Sequence, residues 1–190
     1  MRENFIRGMA LAGWLESGDE DAIDDLTIHE IEGDPGGVTN GVGLTQNTYD
    51  AYREAVDEEK QSVESATPDE VLDIYRGNFW DVAFCDDLED GLDLIVFQYA
   101  LNRKNGPIKA VKLYQKLLGV RPDGDVGPVT LEALACADTQ LIMERFLDYQ
   151  YHWYDKVRKQ DKFTEGLKNR VTRTAKFIDF VYEPPRQEKS

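Results

Sequence analysis

One carboxylate and one loop carry most of the chemistry that this sequence offers. Glu16 closes a helical stripe in which Phe5, Met9, Ala12 and Glu16 fall on nearly one line at 3.6 residues per turn, directly before the small-residue turn Ser17-Gly18. A carboxyl held on an apolar face has its charged form disfavoured. Its pKa rises, and it stays protonated near neutral pH, able to donate a proton to a leaving oxygen. The plainer alternative is an acid that ends its helix in water, since structural networks perturb carboxyls too. Downstream, the run from Gly33 to Gln46 holds five glycines together with Asp34, Thr39, Asn40, Thr45 and Gln46. Glycines permit positive φ and close approach to a ligand, and Pro35 fixes the first turn, so tight loops or a small hairpin are expected. No Gly-Lys-Ser/Thr ending is present and the glycine spacing fits no dinucleotide fingerprint, which leaves the acid, hydroxyls and amides as the chemical content.

The elements that must position these groups read as mostly helical. After Asn4–Glu16, the segment Asp19–Glu32 is acidic, with partial alternation of Leu26, Ile28 and Ile31 that fits one strand of a hairpin. A helix is expected over Gln46–Glu64, with Tyr49, Tyr52, Ala55 and Val56 on one side. Thr67-Pro68-Asp69-Glu70 is a capping box that starts a helix through Tyr75. Gly91–Asn102 is apolar on all sides and reads as the central buried helix, with Asn105-Gly106-Pro107 as its terminator. Helices follow over Pro107–Leu118, Pro128–Ala137, Thr139 to about Lys159, and Phe163–Phe180, and the chain from Glu183 onward should fray.

Composition narrows the function. The chain of 190 residues is 41% hydrophobic, enough for one substantial core or a small lobe beside a larger one. A net charge of −15 argues against nucleic acid as a partner, because binding a polyanion needs a basic stripe. The acids concentrate in Asp19–Asp34, Asp57–Glu70 and Asp86–Asp93, while Lys156–Lys176 is basic, which reads first as a solvated helix face. No stretch suits a bilayer span and no basic start precedes a long apolar run, so neither membrane insertion nor a secretory signal is expected. Cys85 and Cys136 are far apart in sequence and read as reduced thiols; His29 and His152 have no ligand spacing, so no metal site or cofactor is expected.

Taken in order, Glu3-Asn4-Phe5, Trp14-Leu15-Glu16-Ser17-Gly18, Asp34-Pro35-Gly36-Gly37-Val38-Thr39-Asn40 and Gly43-Leu44-Thr45 resemble the start of the glycoside hydrolase family 108 muramidases of phages and prophages. Ile74-Tyr75-Arg76, Phe79-Trp80, Leu117, Gly119-Val120, Asp123-Gly124 and Gly127-Pro128-Val129-Thr130-Leu131 are similar to the predicted peptidoglycan domain that follows the catalytic segment in that family. The resemblance implies a mostly helical, lysozyme-like α+β fold, with a small glycine-rich N-terminal lobe packed on a larger helical lobe. It divides the chain into a catalytic segment 1–66, a helical peptidoglycan domain 67–182 and a tail 183–190. It also implies an endolysin that cleaves the β-1,4 bond between N-acetylmuramic acid and N-acetylglucosamine. Such a protein acts on peptidoglycan strands from the host cytoplasm or as part of a virion beside other virion proteins. The competing reading is a wall-binding or virion structural protein that kept the fold without catalysis.

By that resemblance Glu16 matches the family's catalytic acid, although Ser17 replaces a glycine and the insertion Asp19–Glu32 lengthens the connection. Glycoside hydrolysis normally uses two carboxyls, one protonating the leaving oxygen and the other activating water or attacking the anomeric carbon. Asp34 is the candidate partner, with the Thr39 hydroxyl to hold a water; Asp25, Glu30 and Glu32 are the alternatives. Asn40 and Gln46 are candidate sugar-binding residues from the same run. Tyr149 and Trp153, among the aromatics Phe146, Tyr149, Tyr151, Trp153 and Tyr154 of one helix, are candidate stacking surfaces for pyranose rings, although aromatics at helical spacing more often fill a core. Asp123-Gly124 with Gly127-Pro128 also occurs in peptidoglycan-binding repeats, but a turn and a helix start account for it.

Overall fold

The computed structural model describes residues 2–17, 29–30, 38–39, 43–158 and 164–185. Its contacts divide the chain into two compact units, Arg2–Asn78 and Phe79–Ser190. Among the described residues the elements are helices apart from one two-stranded ribbon.

In the first unit α1 (Arg2–Ser17) buries Phe5, Met9, Leu11 and Leu15. Ala12, on the same line as Phe5 and Met9, is half-buried. The ribbon pairs β1 (His29–Glu30) antiparallel to β2 (Val38–Thr39), with His29 opposite Thr39 and Glu30 opposite Val38. It joins the end of the acidic insertion to the glycine-rich run. Next comes α2 (Gln46–Ala55), whose N-terminus is capped by the Thr45 hydroxyl accepting the Thr48 N–H at 3.3 Å.

The helix expected to reach Glu64 stops at Ala55, and the backbone shows why. Asp57 turns left-handed at φ 59°, and the Glu58 N–H reaches back to the Arg53 carbonyl at 2.8 Å while that of Asp57 bonds Glu54 at 3.3 Å. This pair of bonds is a Schellman closure, and the acids Asp57, Glu58 and Glu59 stand where the helix dipole disfavours negative charge. A 3-10 turn, Val63–Ser65, then leads to α3 (Pro68–Tyr75) and a π-helical turn, Arg76–Trp80. The capping box is as expected, with the Thr67 side chain on the Glu70 N–H and the Glu70 side chain on the Thr67 N–H.

Glu70 does more than cap. Its carboxylate, mostly covered, also accepts from Tyr49 Oη at 3.1 Å and from Arg53 Nη1 at 2.8 Å, tying α2 to α3. Desolvation pushes the Glu70 pKa up, but the hydrogen bonds from Thr67, Arg53 and Tyr49 together outweigh it and hold the carboxyl below its ordinary value. A depressed folded-state pKa contributes stability above the unfolded pKa that is lost as pH falls through the folded one. We therefore expect Glu70→Gln to lower stability at pH 7 by about 2 kcal/mol, the scale of hydrogen bonds to a charged group. In urea titrations that difference should shrink as pH drops into the acid range. A gap that stays constant down to the acid limit would contradict the ionic role.

In the second unit α4 (Leu92–Leu101) is buried from Leu92 through Ala100. The indole of Trp80, fully buried, meets Phe97 edge-on at 5.3 Å between centroids and donates Nε1–H to Asp86 at 2.9 Å. Around α4 pack α5 (Gly106–Leu117), α7 (Thr139–Arg158) and α8 (Thr164–Phe177), with α6 (Pro128–Cys136) between α5 and α7 in the chain. Inside, Gln150 Nε2 donates to Gln98 Oε1 at 3.0 Å, linking α7 to α4. Cys85 is a buried free thiol and Cys136 an exposed one.

The first position of α5 admits only glycine. A Cβ on Gly106 would lie 1.8 Å from the Ala100 carbonyl oxygen, a backbone atom that cannot swing aside. Gly106→Ala should therefore destabilise the protein by about 3 kcal/mol or more, the upper range for overpacking. Gly166 on α8 is the control: a Cβ there meets nothing within 4 Å. Its replacement by Ala should be neutral or stabilise by up to about 1 kcal/mol. Denaturant midpoints measure both, and a Gly106→Ala protein as stable as wild type would contradict this packing.

Candidate catalytic helix and a basic aromatic groove

The catalytic candidates belong to the first unit. Glu16 is the last residue but one of α1. At about 100° per residue its position lies within about 20° of the Phe5 line. Phe5 and Met9 on that line are 3% and 2% exposed. Thr39 stands on β2, across the ribbon from His29. Asp34 and Asn40, and the alternatives Asp25 and Glu32, lie outside the described residues. Glu30 is on β1, opposite Val38.

Gln46 has a structural task. Its Nε2 donates to Asp50 Oδ1 and to the Gln61 carbonyl, both at 2.7 Å, and its Oε1 accepts the Val63 N–H at 2.8 Å. These bonds close the 56–62 loop back onto the start of α2.

The second unit separates the α7 aromatics into two groups. Phe146 and Tyr154 are core, whereas Tyr149 and Trp153, one helical turn apart, line a groove of about 400 Å³ against α4 and α5. That volume is within the roughly 300–1,000 Å³ usual for ligand sites. Arg103, in the turn after α4, stacks on the rings: its guanidinium carbon lies 3.4 Å from the Trp153 centroid and 4.2 Å from that of Tyr99. Desolvation in this stack lowers the Arg103 pKa, and burial pushes the Tyr99 phenol up to about 12. Lys109, Lys112 and Lys116 of α5 complete the basic wall. The spacing of those lysines at i, i+3 and i+7 was visible in the sequence as a charged stripe on one helix face. Arg103 carried no such signal, because the ring nearest to its guanidinium, Trp153, is distant in the chain.

The Asp123-Gly124 motif is accounted for by packing. The buried Gln115 amide donates to Asp123 Oδ1 at 3.0 Å, the Asp125 carbonyl at 2.8 Å and the Thr130 hydroxyl at 3.2 Å, and accepts the Gly124 N–H at 2.9 Å. Gly124 has φ 92°, and a Cβ there would press on Lys112 and Ile108 at 3.1 and 3.2 Å. One side chain of α5 thus holds the turn and the start of α6 together.

Comparison with known proteins gives two family matches in series. Residues 28–103 match the Glycosyl hydrolase 108 model, and residues 109–179 match the model described as Predicted Peptidoglycan domain. The two spans follow one another in the order that the motifs of the sequence imply. A solved structure, that of Brucella abortus SagA, is similar over 95% of this chain and 97% of that one, with 29% sequence identity and a TM-score of 0.73. No curated protein matches. The mostly helical, lysozyme-like fold implied for a glycosyl hydrolase 108 chain is the one that the described residues adopt. The two matches support a lysozyme-like peptidoglycan hydrolase, and the second supports peptidoglycan as a partner. Glu16 lies upstream of the matched span, which opens at residue 28. Tyr99 and Arg103 fall within the first span, and the groove's lysines, Tyr149 and Trp153 within the second.

Proposed function

We propose that this glycosyl hydrolase 108 chain is an active muramidase that cleaves the β-1,4 bond from N-acetylmuramic acid to N-acetylglucosamine, and that it serves a phage or prophage as a lysin. The observation that carries the activity is the serial arrangement on one chain of a glycosyl hydrolase 108 span and a peptidoglycan domain span. The phage setting rests on the resemblance of the N-terminal motifs. The segment 1–66 would supply the catalytic groups.

Glu16, at a position in line with buried apolar residues, protonates the glycosidic oxygen as the bond to the anomeric carbon breaks. The carboxylate of Asp34 then takes a proton from an attacking water held by Thr39, or attacks the anomeric carbon itself before water releases the sugar. Either route leaves a new reducing end on muramic acid and needs no cofactor. A zymogram on purified peptidoglycan tests the reading: a cleared band at the protein's position is expected. A protein that pellets with insoluble peptidoglycan yet clears nothing and frees no reducing ends would instead be a wall-binding protein.

A further inference from the structure

The charges of the second-unit groove run against those of the protein. On a chain of net charge −15, the lining between α4, α5 and α7 holds Arg103, Lys109, Lys112 and Lys116 and no acid. The three lysines are exposed and make no salt bridge among the described residues. Arg103 is held differently. Its Nε and Nη2 are buried without a hydrogen-bond partner, so ring faces support its charge and no carboxylate neutralises it among the described residues. Such a cation keeps its attraction for an anion in the groove. Beside it, Trp153 is already engaged by the guanidinium, while Tyr149 is 39% exposed and presents a ring to solvent. An open aromatic beside a row of unpaired cations fits a ligand with a sugar ring at one end and carboxylates at the other.

We propose that this groove is a binding site for the carboxylate-bearing stem peptide of a muropeptide, with Lys112, Lys116 and Lys109 pairing its carboxylates and Tyr149 stacking on the adjoining sugar. The inference rests on the peptidoglycan reading above and adds to it which part of the polymer the second unit recognises. A nucleic acid would also meet cations and aromatic faces here, but the acidic surround repels a long polyanion whereas a short stem peptide reaches only the groove.

The test titrates the full chain with three probes: the GlcNAc–MurNAc tetrapeptide with free carboxylates, the same molecule with its carboxylates amidated, and the uncharged GlcNAc dimer. The free acid should bind at least tenfold more tightly than either neutral probe, and its affinity should fall as salt rises. Lys112→Gln with Lys116→Gln, both at exposed positions, should remove about tenfold of that affinity and flatten the salt dependence, with an unchanged far-UV circular dichroism spectrum. Equal affinity for free and amidated peptide, wild-type binding by the double variant, or tighter binding to oligo-dT than to the free acid would each overturn the inference. Reducing-end release from purified peptidoglycan, measured alongside, separates the two readings. Charge-dependent binding without release would sink the muramidase and leave the groove, whereas release without charge-dependent binding would do the reverse.

Discussion

Glu16→Gln should cut the release of reducing ends from purified peptidoglycan by about 10² to 10⁴, the usual loss when a general acid is removed. The same variant should melt within a degree or two of wild type. Both halves follow from position. Position 16 follows Phe5 and Met9 at helical spacing along α1, and an isosteric amide there keeps the shape but has no acidic proton to give. A purely structural Glu16 would give the opposite pattern, a lower melting temperature with turnover per folded molecule preserved. Turnover against pH supplies a second signature: activity dependent on protonated Glu16 should fall as pH rises through its pKa. A flat alkaline limb in the wild type would be inconsistent with that role.

Asp34→Asn is expected to show the second large loss, about 10²-fold or more, with Asp25→Asn, Glu30→Gln and Glu32→Gln each close to wild type. Only one carboxylate is needed opposite the acid, and Asp34 heads the Asp-Pro-Gly-Gly motif that precedes Thr39 in the sequence. The anomeric configuration of the first-formed wild-type product distinguishes the two ways in which the residue can act: retention marks a nucleophile and inversion a base. A small loss at Asp34 beside a large one at Asp25, Glu30 or Glu32 would transfer the role to that residue.

What the sequence made legible was local chemistry. The Thr67 to Glu70 capping box could be read from four residues, because both of its hydrogen bonds close within one turn. The end of α2 could not, because the left-handed Asp57 and the grip of Gln46 on Gln61 and Val63 depend on how the following loop folds back. The same contrast holds in the second unit. Periodicity marked Phe146, Tyr149, Trp153 and Tyr154 as aromatics of one helix, but α4 and α5 decide which of them fill the core and which open on the groove. Arg103 was invisible for the same reason: its aromatic partner Trp153 is 50 residues away in the chain. The resemblance, by contrast, pointed directly to the two family models that match, because short motifs in a fixed order along most of the chain leave few alternatives.

The most direct test of the central claim is the identity of the sugar at the newly formed chain end. Purified peptidoglycan digested with the wild-type protein is reduced with borohydride, and the products are resolved by mass spectrometry. Muropeptides that end in reduced N-acetylmuramic acid are expected, and so is their loss with Glu16→Gln. Products ending in reduced N-acetylglucosamine, or no reduced ends at all from protein shown to be bound to the wall, would contradict the claim.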